Sequence, residues 1–211
     1  MRKPLIKKQQ GFTLYMVLIL MAVIAILVLA GSQLLNTEMR LSTNDADRKY
    51  AFGLAEDALR GGEQYTYEEV HQEVLLKPAI VSALASSNVE DFFDSSIVDK
   101  SSSSAMFTEA CKHGLCAPSI ESATTGSVPY SDVPAWERKV SSKSVFDSDE
   151  TSVKYILATT AEVSKNPRYI IEYLGPAEST DTTLYRVTAR AWGRNQNTQV
   201  TLQSVIRVKN K

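Results

Sequence analysis

The stretch that decides the fold is GFTLYMVLILMAVIAILVLAG, residues 11–31. From Phe12 to Ala30 it carries no charged side chain and no proline. About 20 consecutive apolar residues form a helix of roughly 30 Å, which matches the hydrocarbon thickness of a bilayer. The stretch therefore predicts a transmembrane helix close to the N-terminus.

Charge is distributed unevenly around this helix. The segment before Gly11 is basic and contains no acidic residue, and the first charge after the apolar stretch is Glu38. A basic N-terminal flank predicts that the N-terminus stays in the cytoplasm and that the rest of the chain is exported. Over the whole chain, 23 Lys and Arg residues nearly balance 24 Asp and Glu residues. Composition therefore argues against nucleic acid as a partner.

Three kinds of N-terminal segment compete to explain Gly11, which lies just before the apolar stretch. A secretory signal peptide has a core of about 7–15 residues followed by small residues. Here the core is longer, and Ala30-Gly31-Ser32 matches that pattern only weakly. An uncleaved signal anchor fits the length and the charge but gives Gly11 no role. Cleavage between Gly11 and Phe12 would leave the apolar helix at the new N-terminus.

The third arrangement resembles the type IV prepilin signature. Residues 7–31, KKQQGFTLYMVLILMAVIAILVLAG, combine a basic leader, a glycine, Phe-Thr-Leu and a long apolar helix. The resemblance implies that residues 1–11 are a leader removed after Gly11 by a prepilin peptidase, and that Phe12 is then N-methylated. It also implies that residues 12–31 first cross the lipid of the bacterial inner membrane once, with the globular part in the periplasm, and later form the filament core.

One position departs from that signature. Prepilins usually carry a glutamate four residues after the first mature residue, and here that position is Met16. In the family this carboxylate is thought to pair with the amino terminus of the adjoining subunit, which offsets the cost of burying it among apolar helices. A subunit without it cannot neutralise a neighbour in this way. Met16 therefore favours a subunit at the tip of a filament or initiation complex, with sequence drift in a minor subunit as the alternative.

The helix is predicted to continue beyond the membrane through residues 32–63, which contain no proline. Small and apolar side chains recur there at helical spacing, which is typical of a face that packs on a globular domain. A partner helix is the alternative, but the stripe is short for a coiled coil. Gly61-Gly62 predicts the end of the helix. The stripe consists of Ala46, Tyr50, Ala51, Leu54, Ala55 and Ala58.

The middle of the chain gives weaker signals. A second short helix, interrupted at Pro78, is predicted over residues 70–84. The Ser- and Asp-rich residues 86–107 are predicted to form a surface excursion.

The C-terminal part contains three β-rich runs, RYIIEYLG (168–175), LYRVTARAWG (184–193) and TQVTLQSVIRV (198–208). Alternating side chains and intervening turn residues predict an antiparallel meander. SVKYILATTAEV (152–163) is a candidate fourth strand. The sequence therefore predicts an α+β fold, in which a long N-terminal helix packs on an antiparallel β-sheet and residues 64–211 form the globular domain.

The segments PRYIIEYLG, YRVTARAWGRN and TQVTLQSVIRV resemble the PilX/PilK group of minor pilins. Together with the N-terminal signature, the resemblance covers both ends of the chain. It implies a type IV pilin fold, and it implies partners that include other minor pilins, the major pilin and the inner-membrane assembly platform. It also implies a place in pili that serve cell adhesion and twitching motility.

The segment CKHGLC contains both cysteines of the chain, Cys111 and Cys116. Export to an oxidising compartment favours a disulfide between them. Free thiols and a metal site are the alternatives. A metal site would need His113 and a fourth ligand, and the other histidine is the distant His71. Neither a metal nor another cofactor is therefore expected.

No catalytic site is expected. The sequence lacks Gly-x-Ser-x-Gly and a glycine-rich phosphate loop, and the acidic turn at residues 146–151 lacks the frame of an EF-hand. Trp136 and Trp192 are expected to be sheet-edge or core aromatics. Arg186 and Arg190, on one strand face, give weak grounds for an anionic partner.

The predicted function is that of a non-enzymatic minor pilin that takes part in initiating type IV pilus assembly, in a tip complex with other minor pilins. A pseudopilin of a type II secretion system is the nearest alternative, because it shares the leader and the fold. A membrane-anchored periplasmic binding or sensing domain is an alternative of another class, and it predicts a mature chain that begins at Met1. An anchored hydrolase has no motif in its favour.

Overall fold

The computed structural model describes residues 12–99, 104–119, 131–156, 163–177 and 180–210. The predicted cleavage residue Gly11 lies outside these ranges. The chain consists of two compact units, Met1–Ala46 and Asp47–Lys211.

The first unit contains the apolar part of helix α1, whose bounds are Phe12–Tyr65. Leucine, methionine and alanine favour the helix, and no proline interrupts it. By length and composition, α1 is the one helix in the described ranges that is apolar enough to cross a membrane. The predicted N-terminal helix is therefore present.

In the second unit the helix does not end at Gly61-Gly62, and the prediction of an end there is wrong. Helix α1 continues to Tyr65, and a π-helical turn, Thr66–Val70, leads directly into helix α2, His71–Leu75. The predicted interruption at Pro78 is present. Helix α3, Pro78–Ser86, begins with this proline, which is tolerated in the first turn because its missing N–H has no helical partner there.

The two glycines let the sheet approach the helix closely. A Cβ atom at Gly61 would lie 2.5 Å from Cε2 of Tyr155. A Cβ atom at Gly62 would lie 2.7 Å from Cγ1 of Val187 and 3.0 Å from Cδ2 of Tyr169. All three distances are shorter than van der Waals contact, so the absence of a side chain sets the separation between helix and sheet.

The strands of the second unit form one large sheet and one small hairpin. The sheet order is β1-β2-β3-β7-β8-β9, with β6 also paired to β7, while β4 and β5 form the hairpin. The strands are β1 (Val98–Asp99), β2 (Phe107–Thr108), β3 (Leu115–Cys116), β4 (Lys139–Val140), β5 (Lys143–Ser144), β6 (Val153–Lys154), β7 (Arg168–Pro176), β8 (Thr182–Trp192) and β9 (Gln199–Lys209).

The predicted antiparallel meander is confirmed, because β7, β8 and β9 pair antiparallel. Strand β6 adds an antiparallel partner from the predicted fourth run, of which residues 157–162 lie outside the described ranges. The expectation of a purely antiparallel sheet is incomplete, since β1, β2 and β3 pair in parallel and join β7 in the same sense. Strands of two residues are too short to show alternation, so no periodic pattern predicted them.

The core between helix and sheet follows the predicted stripe. Ala51, Ala55 and Ala58 are fully buried and Leu54 nearly so. Ala46, the first member of the predicted stripe, is exposed. Alternate residues of β9 are also more buried than their neighbours, as the alternation predicted.

The predicted surface excursion over residues 86–107 is wrong for the part of that segment that the structure describes. Phe92, Ile97 and Phe107 are fully buried. The Phe107 ring stacks on Tyr173 with 4.9 Å between the centroids. The segment supplies core side chains at irregular spacing, and such spacing gives no periodic signal among serines and aspartates.

A buried histidine joins α2 to the sheet. Nδ1 of His71 lies 3.0 Å from the Tyr185 hydroxyl, and Nε2 lies 3.0 Å from the carbonyl oxygen of Lys209. Because a carbonyl only accepts, Nε2 of the neutral ring carries the proton and Nδ1 accepts from the hydroxyl. Burial lowers the pKa of His71, and the hydrogen bond to Lys209 opposes this shift only in part.

We expect the free energy of unfolding to decrease as the pH falls below about 6.5, the ordinary pKa of histidine. The unfolded chain then binds a proton that folded His71 resists, so this stability is complete above that pH and is lost towards the lower, folded-state pKa. His71→Gln should flatten this part of the profile. Exposed His113 provides the control, because His113→Asn should leave it unchanged. Urea unfolding of the full chain in micelles at a series of pH values measures the effect, and an unaltered profile in His71→Gln contradicts it.

Candidate functional site

The first candidate surface is the apolar part of α1. All side chains from Phe12 to Ala30 are exposed, and the next charged residue along the chain is Glu38. Met16 lies on this surface and is 48 % exposed. An apolar surface of this extent is stable only when lipid or other helices cover it. The described residues 12–30 contain no carboxylate that could pair with a neighbouring subunit.

The second unit fixes its C-terminal hairpin to the helix through Asp47. The Asp47 carboxylate accepts hydrogen bonds from the backbone N–H groups of Arg194 at 2.7 Å and Asn195 at 3.3 Å. A hydrogen bond from the Thr198 side chain and these backbone groups lower the pKa of Asp47. A Cβ atom at Gly193 would lie 2.5 Å from the carboxylate, so glycine is needed for this contact.

The sheet face opposite the helix is covered by residues 109–119 and 131–152, which we call the disulfide module. Cys111 and Cys116 are joined in a disulfide with 4.1 Å between their Cα atoms. Both are fully buried. Of the two tryptophans expected at a sheet edge or in the core, Trp192 lies in the core with 4 % exposure, and Trp136 is half-buried. The module packs through Cys111, Cys116, Ala135, Trp136, Val140, Val145 and Phe146 on Ile170 and Trp192 of the sheet.

Arg138 holds the disulfide module together from inside. Its Nε donates to the carbonyl of Val133 at 3.0 Å, and Nη2 donates to the carbonyl of Ala117 at 2.8 Å. Nη1 lies 3.4 Å from the carbonyl of Glu109 and 3.9 Å from Sγ of Cys111. The side chain is buried, which lowers the pKa of Arg138, while the carboxylates of Glu172 and Glu109 act in the opposite direction.

A buried carboxylate lies between the module and the sheet. Glu172 in β7 is 1 % exposed, accepts from Nη1 of Arg186 at 3.2 Å and accepts from the backbone N–H of Ser119 at 3.1 Å. The Arg186 guanidinium also lies 5.3 Å from the centre of the Trp136 ring. Such a pair is costly to break, because removing one charge leaves the other buried.

The other basic residues of this sheet face also contact their own chain. The Arg190 guanidinium lies 4.3 Å from the centre of the Phe146 ring and donates to Thr201 at 3.0 Å. Arg168 pairs with Asp149 and donates to Ser152. The predicted cluster of Arg186 and Arg190 therefore packs the sheet against the module.

Among the residues that the structure describes, the two histidines and two cysteines do not come together in a metal-binding set. Within the described ranges, no group of three His, Cys, Asp or Glu side chains could hold a metal ion. The disulfide leaves both sulfurs without the thiolate that a metal would need. An open groove of about 590 Å³ borders the module, and Arg138 is among the residues that line it. The guanidinium of Arg138 already donates hydrogen bonds to carbonyl groups of its own chain, so it is not free to bind a ligand in the groove.

Sequence reasoning did not predict the structural contacts of Asp47, His71, Arg138 and Glu172. Glu172 left one signal, because it interrupts the apolar run RYIIEYLG that becomes β7. The other three resemble ordinary surface residues in the sequence. Their partners lie far away along the chain, so spacing could not indicate them.

Comparison with protein families supports the resemblance at both ends of the chain. A family model described as "PilX N-terminal" matches residues 10–60, and one described as "Type IV pilus assembly protein PilX C-term" matches residues 100–208. The second model covers more than half of the 211 residues. Searches of curated proteins and of solved structures gave no match. The apolar helix, the meander and both family matches agree, and the chain belongs to the PilX family of type IV pilus minor pilins.

Proposed function

We propose that this PilX-family pilin takes part in initiating type IV pilus assembly, in a tip complex with other minor pilins. Met16 carries the proposal. A subunit inside the shaft needs a carboxylate at this position to neutralise the amino terminus of the adjoining subunit, and residues 12–37 contain no acidic side chain. A subunit at the end of the filament has no such neighbour. Its part in assembly is structural and requires no catalysis.

The same proposal includes a processing path. Prepilin peptidase removes residues 1–11, and Phe12 becomes the methylated N-terminus. The helix crosses the inner membrane with its N-terminus in the cytoplasm and the second unit in the periplasm. The assembly platform then moves the helix from lipid into the helical bundle, where apolar contacts with the major pilin and other minor pilins replace lipid contacts.

Mass spectrometry of the N-terminal peptide from host membranes is expected to find N-methylated Phe12. Gly11→Val should leave the leader in place, because it puts a branched side chain where the prepilin signature has glycine. A mature wild-type chain that begins at Met1 would contradict the processing step. A chain cut beyond Ala30 would contradict both the processing step and the anchoring role of the helix.

Deletion of the chain is expected to remove most surface pili without lowering the amount of major pilin in the membrane. Met16→Glu supplies the missing carboxylate, so we expect labelled subunits to move from the tip into the shaft. Met21→Glu provides the matched control. It places an unpaired charge in the same apolar helix and should block incorporation, because an unpaired buried charge is destabilising by several kcal/mol. Immunogold labelling of the pili locates the subunits, and wild-type label along the whole shaft would contradict the tip position.

A further inference from the structure

The large sheet ends in a long open edge. Strand β9 is the last strand in the sheet order, and within the described ranges β8 is its one paired neighbour. In an antiparallel pair, about half of the residues point their N–H and C=O groups away from the partner. Strand β9 has 11 residues, so a row of backbone groups without a strand partner in the described ranges runs along its outer side. At the end of this row, the carbonyl of Lys209 already accepts from His71.

This edge lacks the features that protect open strands in monomeric proteins. Residues 199–206 contain no charge, no proline and no glycine. The register between β8 and β9 continues without a bulge, whereas β7 has an irregularity between Tyr173 and Gly175. At the other end of the sheet order, β1 has only two residues. Residues 199–206 therefore form a long, regular and uncharged part of the edge, which is a template for another strand, while the two charges of β9 lie at its C-terminal end.

The side chains along the edge indicate the chemistry of the added strand. Gln203, Val205, Arg207 and Lys209 alternate along the strand and are exposed on one face. Strands β8 and β9 together contain no acidic residue. On this face, the basic end of β9 therefore lacks an opposite charge from either strand of the hairpin.

We propose that β9 receives an extended segment of a sibling pilin subunit, which adds a further strand to the sheet. That segment carries an apolar residue beside Val205 and acidic residues beside Arg207 and Lys209. Backbone hydrogen bonds supply the affinity and the charges select the partner. A second copy of this chain fits less well, because its own β9 contains no acidic residue to place beside Arg207 and Lys209. The inference deepens the proposed function, since it identifies one contact of the tip complex.

The test is a photocrosslink in pilus-forming cells. We expect p-benzoylphenylalanine at Val205 of the full-length chain to form an adduct with one extended, acidic segment of a sibling pilin. Val81 in α3 is a matched control, because it is the same residue type with the same exposure of 57 %. A crosslinker at Val81 should not reach that segment. Arg207→Glu combined with Lys209→Glu should lower the yield of the Val205 adduct roughly tenfold or more, because like charges would then oppose each other.

The mapped adduct decides the inference independently of the proposed function. An adduct of Val205 with its own chain, with another β9 or with no protein would overturn the inference. An unchanged yield of the Val205 adduct in the charge-reversed variant would show that the partner segment is not recognised through acidic residues. If the adduct forms but deletion of the chain leaves pilus number unchanged, the edge contact stands and the initiation role fails. If deletion abolishes pili but no adduct forms, the initiation role stands and the edge contact fails.

Discussion

Replacement of Gly62 by leucine is expected to lower the free energy of unfolding of the second unit by about 3 kcal/mol. The first atom of any side chain would lie 2.7 Å from Cγ1 of Val187 and 3.0 Å from Cδ2 of Tyr169. Both neighbours are buried in the core, so neither can move aside without disturbing other contacts. Urea unfolding in micelles, followed by the fluorescence of Trp136 and Trp192, reports on this unit.

Gly53 is the matched control, since it lies in the same helix with no atom within 4 Å of an added Cβ. Gly53→Ala should raise the free energy of unfolding by about 0.5–1 kcal/mol, because alanine favours a helix more than glycine does. The two substitutions should change the free energy of unfolding in opposite directions. This difference distinguishes the effect of close packing at Gly62 from the effect of helix propensity at Gly53. Equal stabilities of Gly62→Leu and the wild type would show that the helix and sheet do not approach each other as described.

Arg138→Met is expected to lower the free energy of unfolding by about 3 kcal/mol. Methionine fills much of the same space but donates no hydrogen bond. The carbonyl groups of Ala117 and Val133 would then be left without the donor they have now. We also expect the disulfide module to exchange its backbone amides faster, because Arg138 links its two segments. Urea unfolding and hydrogen exchange of the full chain measure the two effects.

Arg207→Met removes the same kind of side chain from an exposed position and should change the free energy of unfolding by less than about 0.5 kcal/mol. Arg138→Lys keeps the charge but cannot reach all of the carbonyl groups, so it should restore only part of the loss. If Arg138→Met and Arg207→Met have equal effects, Arg138 does not hold the module together. Faster amide hydrogen exchange that is confined to β9 in Arg138→Met would also contradict the role of Arg138 in the disulfide module.

Local patterns predicted the parts of the fold that repeat along the chain. The apolar run after Gly11 is long enough to span a bilayer as a helix. The small-residue stripe from Tyr50 to Ala58 has helical periodicity, and the alternation in β8 and β9 has the period of a strand. Each pattern involves residues that are neighbours in sequence. The long helix and the antiparallel meander could therefore be predicted and are confirmed.

The middle of the chain could not be predicted in the same way. Residues 86–107 contain core side chains without a regular period, and β1, β2 and β3 are too short to form one. Gly61-Gly62 looked like a helix end because glycine commonly ends helices. The tertiary structure shows that these two positions need glycine because the sheet leaves no room for a side chain there. The conformational freedom of glycine is not the reason.

The sequence by itself determined the membrane-like helix, the pilin family and the strands of the meander, because these depend on composition and on period along the chain. The tertiary structure alone decided the functions of Arg138, Glu172 and His71, whose partners are distant in sequence. It also decided that β9 lies at an open edge. The strand pattern is the same whether β9 lies at the centre or at the edge of a sheet, and only the order of the strands determines which backbone groups remain free to bind a partner.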